Sequence, residues 1–193
     1  STPSRTHQTI QVGSRNKFGM TCLVLSDIYT MNQVKQNIQA KIATLPELKK
    51  RVDAWKACGE KVVFTNGVFD LLHTGHITYL ADAAELGTKL IIGLNSDSSV
   101  KRLKGPERPV NDQDSRALLL ASMFFIDAIV IFEEDTPLNL VTTLLPDVLA
   151  KGGDYTIASI VGAKEVMENG GEVKGISFVD GFSSTGIINR IRQ

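Results

Sequence analysis

Two of the three histidines in the chain stand three residues apart in the stretch FDLLHTGH, residues 69–76, shortly after the apolar run KVVF. Gly75 allows the backbone to approach a ligand closely. His76 would then begin a helix, whose free N–H groups and dipole favour an anion. Imidazoles donate hydrogen bonds to phosphate and stabilise charge that develops on it. The spacing therefore favours a phosphate site in which His73 and His76 contact the ligand.

Two other interpretations of this histidine pair remain open on the residues alone. Histidines one turn apart on a helix suit zinc, but Asp70 is the one further ligand nearby in the sequence. Alternatively, both imidazoles are structural side chains with no ligand. We prefer the phosphate interpretation, because Gly75 places the pair at a junction of loop and helix, and we assign no protein ligand to a metal.

A second candidate phosphate segment is GFSSTGII, residues 181–188. Its consecutive hydroxyls, Ser183, Ser184 and Thr185, stand where a final helix is expected to begin. Hydroxyls at that place can simply cap the helix, which is the structural alternative. Together with the helix amides they also suit a terminal phosphate. The two segments strengthen each other, because the first and last helices of an α/β sheet can face one cleft.

Four cations cluster in VKRLKGPERP, residues 100–109, namely Lys101, Arg102, Lys104 and Arg108. A run of charge is usually a solvated surface. Here the glycine and prolines favour a shaped loop over a helix surface. Mobile cations above a cleft suit the charge of a phosphoryl-transfer transition state.

Apolar runs that predict strands alternate with amphipathic stretches that predict helices from about residue 45 onward. This alternation predicts a Rossmann-like, doubly wound α/β fold with a five-stranded parallel sheet covered on both faces. The predicted strands lie in KVVFTNG, TKLIIGLNSD, DAIVIF, PDVLAKGGD and EVKGISFV. The predicted helices lie in LPELKKRVDAWKACGE, GHITYLADAAELG, NDQDSRALLLASMF, TPLNLVTTLL, IASIVGAKEVMENGG and SSTGIINRIR. Such sheets bind ligands beyond the carboxyl ends of their strands, where the histidines, hydroxyls and cations fall.

Composition limits the classes of partner. The 193 residues carry a formal net charge of zero, which gives no indication of nucleic acid or an anionic membrane as the main partner. No apolar stretch approaches the length of a membrane span. Cys22 and Cys58 lie far apart and form no metal-type pair, which favours a reducing, cytoplasmic compartment.

The N-terminal part of the chain differs from the rest. Its first 19 residues contain Ser, Thr, Arg and Lys but no acid, a composition shared by transit peptides, expression remnants and translated upstream segments. We predict a partly disordered or helical extension over residues 1–44, with Met20 as a candidate start. One folded domain is then expected over residues 45–193.

The folded part resembles the cytidylyltransferase-like nucleotidyltransferases from about Lys61 to Arg192. That superfamily carries an H-x-G-H signature after the first strand and an S-S/T-T signature before the last helix. Within it, the chain is most similar to the adenylyltransferase of ADP-heptose synthesis, which forms the C-terminal half of bifunctional heptose kinase/adenylyltransferases in many bacteria. The segments that carry the resemblance are FTNGVFDLLHTGH, GLNSDSSVKRLKGPERP, VIFEEDTPL, LAKGGDY and VDGFSSTGIINRI. KGGD and RLKGPERP favour the heptose branch, and a stand-alone transferase domain is expected.

The resemblance implies that AMP is transferred from ATP to a sugar 1-phosphate, with D-glycero-β-D-manno-heptose 1-phosphate as the expected acceptor. It also implies Mg²⁺ with the ATP and a homodimer. The catalytic residues that it implies are His73, His76 and Lys104. The nucleotide-binding residues that it implies are Thr65, Asn66, Gly67, Phe69, Gly75, Lys151, Gly153, Asp154, Ser183, Ser184 and Thr185. The substrate-binding residues that it implies are Asp70, Asn95, Asp97, Arg108 and Arg116.

The chain departs from the family pattern at one position. The wider superfamily often reads S-S-T-x-I-R, and Ile188 stands where the arginine is expected, which leaves Arg190 and Arg192 as candidates for that contact. The choice of ATP over CTP rests on Gly152 and Gly153, which let a base edge approach the backbone. Two alternatives remain. One is a CTP- or ATP-dependent enzyme for another acceptor, such as glycerol 3-phosphate, ethanolamine phosphate or FMN, and the other is a non-catalytic nucleotide-binding domain.

Overall fold

The computed structural model describes residues 31–153, 156–177 and 181–191. Most of the predicted extension, the predicted nucleotide-binding residue Asp154 and the candidate Arg192 therefore lie outside the described residues. The chain divides into two units, residues 1–36 and 37–193, and the sheet belongs to the second. The domain boundary at residue 45 stays a prediction. Across the described part of the chain, no helix has both the length and the apolar character needed to cross a membrane.

Within these ranges, five strands form one parallel sheet. They are β1 (Val62–Gly67), β2 (Lys89–Asn95), β3 (Ala128–Phe132), β4 (Val148–Gly152) and β5 (Glu172–Ile176). The strand order is β3-β2-β1-β4-β5, so the order reverses beside β1, whose neighbours are β2 and β4. The prediction of a five-stranded, Rossmann-like parallel sheet is confirmed. A sheet of this kind opens its ligand crevice at such a reversal.

Helices cover both faces of the sheet. The helices are α1 (Met31–Gln39), α2 (Leu45–Ala57), α3 (Thr74–Ala84), α4 (Asp97–Lys104), α5 (Gln113–Ala121), α6 (Leu138–Leu144), α7 (Ala163–Glu168) and α8 (Ser184–Ile191), with a 3₁₀ turn at Ile157–Ser159. Successive side chains of β1 point to opposite faces. Phe64 packs in one buried apolar cluster with Leu48 of α2, whereas Val63 packs in a second with Leu80 of α3. The two clusters hold α2 and α3 on opposite sides of β1.

The cationic segment that was predicted to be a loop is helical in its first part, so that prediction is wrong for Lys101, Arg102 and Lys104. The side chain of Ser96 caps α4 by accepting a hydrogen bond from the Ser99 amide (3.2 Å). The three cations lie in the last turn, where they complement the helix dipole. The loop itself begins at Gly105, whose φ of 96° ends the helix.

The helix that was predicted in IASIVGAKEVMENGG is interrupted. It is divided into the 3₁₀ turn and α7 by Gly162, which has a φ of 87°. A Cβ at this position would lie 2.6 Å from a methyl group of Val141, so the close packing of α6 also requires glycine here. The apolar residues before and after Gly162 both follow a helical periodicity, so the sequence pattern predicted one continuous helix.

The outer edge of β3 is covered by the chain just before α2. The amide of Ala43 donates to the carbonyl of Ile129 (2.9 Å), and the amide of Ile129 donates to the carbonyl of Lys41 (2.8 Å). Ile42 thereby pairs with Ile129 in parallel orientation. Residues 41–43 thus extend the ladder by one bridge.

Candidate active site

A cleft of about 610 Å³ opens beyond the carboxyl ends of β1 and β4, at the reversal of strand order. Most of the residues predicted to bind or react line this one space. These residues are Asn66, Gly67, Phe69, Asp70, His73, Gly75, His76, Lys104, Arg108, Lys151, Ser183, Ser184 and Thr185. The starts of α3 and α8 thus face the same cleft, as predicted for the two phosphate segments.

The two histidines form a stacked pair at the start of α3. His73 is the N-cap residue and His76 lies in the first turn, so the helix begins at Thr74, two residues before the predicted start at His76. Their ring centroids lie 3.8 Å apart with an angle of 20° between the ring planes. Both Nδ1 atoms are buried and have no hydrogen-bond partner among the described residues. Buried polar atoms without hydrogen-bond partners are rare, and both imidazoles that carry these atoms line the cleft.

The cleft keeps His76 uncharged at neutral pH. Burial and the neighbouring His73 lower the pKa of His76 to about 4, although a hydrogen bond with the backbone of Leu71 acts in the opposite direction. Burial also lowers the pKa of His73. Both shifts reflect the cost of taking a charged imidazole out of water. A phosphate placed against the rings would favour their protonated forms.

The position of His76 is fixed by a strained residue. Phe69 is buried and has a φ of 45°, which is uncommon for any residue other than glycine. Its ring meets the imidazole of His76 edge to face, with 5.3 Å between centroids. A Cβ at Gly67 would lie 2.9 Å from the Phe69 ring, so only glycine leaves room for it. The ring of Phe69, for which Gly67 leaves room, therefore packs against the imidazole of His76 and holds it in place.

Asp70 anchors a second element of the cleft. Its carboxylate is 1% exposed and accepts a hydrogen bond from Nε of Arg108 (2.6 Å). The same carboxylate accepts from the backbone amides of Val110 (2.8 Å) and Asn111 (3.0 Å). Burial acts to raise the pKa of Asp70, but these hydrogen bonds outweigh it and hold the pKa below its ordinary value. The interaction uses Nε, so Arg108 keeps its terminal nitrogens for the cleft that it lines.

The hydroxyl segment closes the cleft from the opposite side. Oγ of Ser184 donates to the carbonyl of Leu71 (3.0 Å), which ties the start of α8 to the loop before α3. Oγ of Ser183 accepts from the Gly186 amide (2.9 Å) and therefore also acts as a helix cap. A Cβ at Gly75 would lie 3.0 Å from Cβ of Phe182, so the glycine of the histidine segment permits this close contact.

The floor of the cleft contributes a further cation. Nζ of Lys151 in β4 donates to Oδ1 of Asn66 in β1 (3.1 Å). Burial lowers the pKa of Lys151. With Lys104 and Arg108, three cations line the cleft, and the single carboxylate among its described residues is that of Asp70. The arrangement suits a ligand with several negative charges.

The family model described as cytidylyltransferase-like matches residues 64–190, a range that contains the whole cleft. The chain belongs to the cytidylyltransferase-like family. Membership in this family confirms the predicted superfamily and the predicted class of enzyme, a nucleotidyltransferase.

Curated relatives refine the comparison. The bifunctional protein HldE of Pectobacterium carotovorum subsp. carotovorum (strain PC1) is 52% identical over 151 residues, which cover 78% of this chain and 32% of that protein. HldE of Escherichia coli (strain K12 / DH10B) is 53% identical over 152 residues, which cover 79% of this chain and 32% of that protein. The chain therefore spans about a third of the length of these relatives.

A solved structure supports the fold. It is the lipopolysaccharide core biosynthesis protein of Thermoplasma volcanium GSS1, which is 28% identical to this chain. The similarity has a TM-score of 0.52 and covers 63% of this chain and 98% of the other. Nearly the whole of that protein thus corresponds to part of this chain.

Several predicted residues of this cytidylyltransferase-like cleft do not line it. Arg116 is fully buried and donates to the carbonyls of Val68 (2.6 Å) and Asn111 (3.0 Å) and to the carboxylate of Asp97 (2.7 Å). The guanidinium therefore braces the loop after β1. The predicted substrate contacts of Arg116 and Asp97 gain no support from this geometry and stay predictions.

Asn95, Thr65 and Gly153 also lie outside the lining. Nδ2 of Asn95 donates to Oγ of Ser99 (3.0 Å) beneath α4. Thr65 is fully buried in β1 and shares a hydrogen bond with Tyr79. Gly153 follows β4 with a φ of 109°. Their predicted roles in binding remain predictions.

The sequence reasoning missed five residues that line the cleft. These residues are Val68, Tyr79, Gly152, Gly181 and Phe182. Gly152 is one of the two glycines on which the predicted choice of ATP rests, although it is not among the predicted binding residues. Tyr79 follows His76 by three positions and so lies on the same face of α3, which is a usable signal. Phe182 had no signal of its own, because its contact with His73, at 6.3 Å between ring centroids, joins opposite ends of the domain.

Proposed function

We propose that this chain transfers AMP from ATP to D-glycero-β-D-manno-heptose 1-phosphate, giving ADP-heptose and pyrophosphate. The observation that carries the proposal is the meeting of two phosphate-suited helix starts in one cleft. His73 and His76 stand at the start of α3, and Ser183, Ser184 and Thr185 stand at the start of α8. The similarity to HldE and to the lipopolysaccharide core biosynthesis protein supports the sugar branch of the family.

The proposed reaction is a direct displacement. An oxygen of the sugar phosphate attacks the α-phosphorus of ATP in line, the bond to the bridging oxygen of pyrophosphate breaks, and pyrophosphate leaves with the electron pair. No protein nucleophile is required, since such transfers depend mainly on positioning and on stabilisation of charge. We assign His73 and His76 to the α- and β-phosphates and Lys104 to the reacting phosphate. The hydroxyls of α8 are assigned to the β- and γ-phosphates.

The charge of the cleft agrees with a triphosphate and a phosphorylated acceptor. Lys104 is exposed at the end of α4, so its long side chain is free to reach a bound phosphate. Arg108 is held by Asp70, and Lys151 is held by Asn66. Arg108 and Lys151 contribute to binding of the ground state, and the exposed Lys104 adds a contact as charge shifts.

Mg²⁺ stays part of the proposal only as a companion of ATP. Among the described residues, no three His, Cys, Asp or Glu side chains come together as a metal-binding group. The carboxylate of Asp70 is already engaged by Arg108 and by two backbone amides. The described side chains thus do not fit a protein-held magnesium site, whereas Mg²⁺ commonly binds through substrate phosphates and water.

ATP is the proposed nucleotide because two glycines, the last residue of β4 and the one that follows it, stand beside the cleft. Gly152 lines the cleft, and Gly153 has a φ of 109°, a backbone conformation that favours glycine. A wall without side chains brings backbone polar groups close to a base, and a base of the wrong shape would leave some of them without a partner. A homodimer and a cytoplasmic location are further proposals that follow from the family resemblance.

The test is a pyrophosphate-release assay with ATP or CTP and a panel of acceptors: heptose 1-phosphate, glycerol 3-phosphate, ethanolamine phosphate and FMN. ADP-heptose is the expected main product when both nucleotides compete. Formation of CDP-heptose would refute the choice of nucleotide, and activity with another acceptor alone would refute the choice of sugar. Absence of turnover with every pair would favour a non-catalytic nucleotide-binding domain.

A substitution in the histidine pair tests whether this activity belongs to the cleft. His76→Ala should lower turnover about a hundredfold, as loss of one preorganised contact to developing charge does. Its circular dichroism spectrum should match that of the parent. Stoichiometric zinc in the purified protein that disappears in His76→Ala would contradict the phosphate role.

A further inference from the structure

The sheet opens beside the cleft. The ladder between β1 and β2 continues to the pair of Gly67 with Leu94 at the carboxyl end of β1. The described ladder between β1 and β4 consists of two pairs, Val63 with Val148 and Phe64 with Leu149. Beyond these pairs the described ladder between the two strands ends, and the strand ends that follow, Asn66–Gly67 and Lys151–Gly152, line the cleft at this separation.

The side chain of Tyr79 reaches both strands at this separation. Tyr79 is 5% exposed and projects from α3 between the strands. Its hydroxyl shares a hydrogen bond with Oγ1 of Thr65 in β1. Burial raises the pKa of Tyr79 to about 12, and hydrogen bonds with Thr65 and with the backbone of Gly152, at the end of β4, act against this rise. A phenolate oxygen can only accept a hydrogen bond, so the Gly152 group is its N–H. One oxygen atom thus joins α3, β1 and β4 below the histidine pair.

We propose that the Tyr79 hydroxyl is a positioning group that fixes the spacing between the carboxyl ends of β1 and β4 and thereby the affinity of the cleft for its nucleotide. This inference rests on the proposed function for the identity of the nucleotide alone. Tyr79 acts through Thr65 and Gly152, and Gly152 itself lines the cleft. The buried Thr65 is a hydrogen-bond partner of Tyr79.

The other bridge across the same gap cannot replace it. The hydrogen bond between Lys151 and Asn66 joins two side chains that both line the cleft, so a ligand that binds either group can displace it. The hydroxyl of Tyr79 lies on a rigid ring within the apolar cluster of α3 and β1, which includes Val63 and Leu80. Loss of that hydroxyl would therefore leave the strand ends joined by the displaceable bridge.

The test compares Tyr79→Phe, Thr65→Val and the double variant in ATP binding by calorimetry and in steady-state kinetics. Tyr79→Phe should raise both Kd and KM for ATP about tenfold, as loss of one buried hydrogen bond does, while kcat changes by less than about threefold. Thr65→Val should act in the same direction. The double variant should bind ATP no more weakly than Tyr79→Phe does, because both changes remove the same bridge. Thr142→Val, which loses a hydroxyl bonded within α6, should leave all constants unchanged.

A measurement without nucleotide separates this inference from the proposed function. Amide hydrogen exchange at Gly152 should be faster in Tyr79→Phe than in the parent, whichever nucleotide the protein uses. Unchanged exchange at Gly152 would refute the bridge. The bridge would also be refuted if the fold-increase in Kd for ATP in the double variant equalled the product of the increases in Tyr79→Phe and Thr65→Val. A loss confined to kcat and thermal stability would mark Tyr79 as an ordinary core residue. Failure of the parent protein to bind ATP, combined with faster exchange in Tyr79→Phe, would refute the proposed nucleotide and leave the bridge intact.

Discussion

The buried ion pair between Asp70 and Arg108 gives a prediction whose size follows from its geometry. In Asp70→Asn, the remaining carbonyl oxygen can keep the two amides of Val110 and Asn111, which both reach Oδ1. The new NH₂ group then replaces Oδ2 and faces Nε of Arg108, so that two donors oppose each other. The variant loses one charge-assisted hydrogen bond and leaves a guanidinium without its partner.

The expected loss of stability is about 2–3 kcal/mol, since a hydrogen bond to a charged group contributes ~1.5–3 kcal/mol and the side chain of Arg108 is only partly removed from water. That side chain is 16% exposed, against 1% for Asp70. The free energy of unfolding is measured by urea titration at pH 7. Turnover should fall as well, because Arg108 loses the partner that directs it into the cleft.

The chain provides a matched control with the same pair of groups on the surface. Nε of Arg102 lies 2.8 Å from the carboxylate of Asp135, and these side chains are 49% and 64% exposed. Asp135→Asn should therefore change the free energy of unfolding by no more than ~0.5 kcal/mol, because exposed pairs contribute little. If Asp70→Asn and Asp135→Asn cost the same, the anchoring role of Asp70 is wrong.

Three further predictions concern the cleft. The pKa of His76, about 4 when folded against an unfolded value near 6.5, means that the unfolded chain holds more protons between these values, so stability should fall as pH drops through this window. Urea titrations at pH 7 and pH 5 should show a smaller fall for His76→Asn, and an equal fall would contradict the shift. Gly67→Ala should lower kcat by displacing the Phe69 ring, whereas Gly175→Ala, where a Cβ meets nothing within 4 Å, should not; equal kcat values would refute the contact. Lys104→Ala should lower turnover more than ATP affinity, and equal losses would mark it as an ordinary binding residue.

The fold was predictable where local composition and burial agree. β2 reads KLIIGLN and buries every residue but the first, so an apolar run alone identifies it. Helix α4 was missed because its apolar positions are few, Val100 and Leu103, and one of them is exposed. Its stability comes instead from the Ser96 cap and from charges at its end, which a hydrophobic pattern does not reveal.

Residues of the site could be predicted where the chemistry of a side chain itself indicates a ligand. His73 and His76 carry functional groups with few structural uses, and they lie in the cleft. Arg116 was assigned to the substrate by the family resemblance, yet it is fully buried and holds three groups of the chain by hydrogen bonds. Tyr79 was overlooked because its partners, Thr65 and Gly152, are distant in sequence and meet it only after the sheet forms.

The bridge between Ile42 and Ile129 bears on association between molecules. The edge of a sheet presents unpaired N–H and C=O groups, to which strands of other chains can add. Residues 41–43 satisfy such groups on Ile129, in an apolar strand that reads AIVIF. A fragment that begins at Leu45 would keep the whole cleft but leave this edge uncovered. Such a fragment should aggregate at concentrations at which the longer chain remains in solution. On this reasoning, residues 41–43 reduce the pairing of β3 edges between molecules.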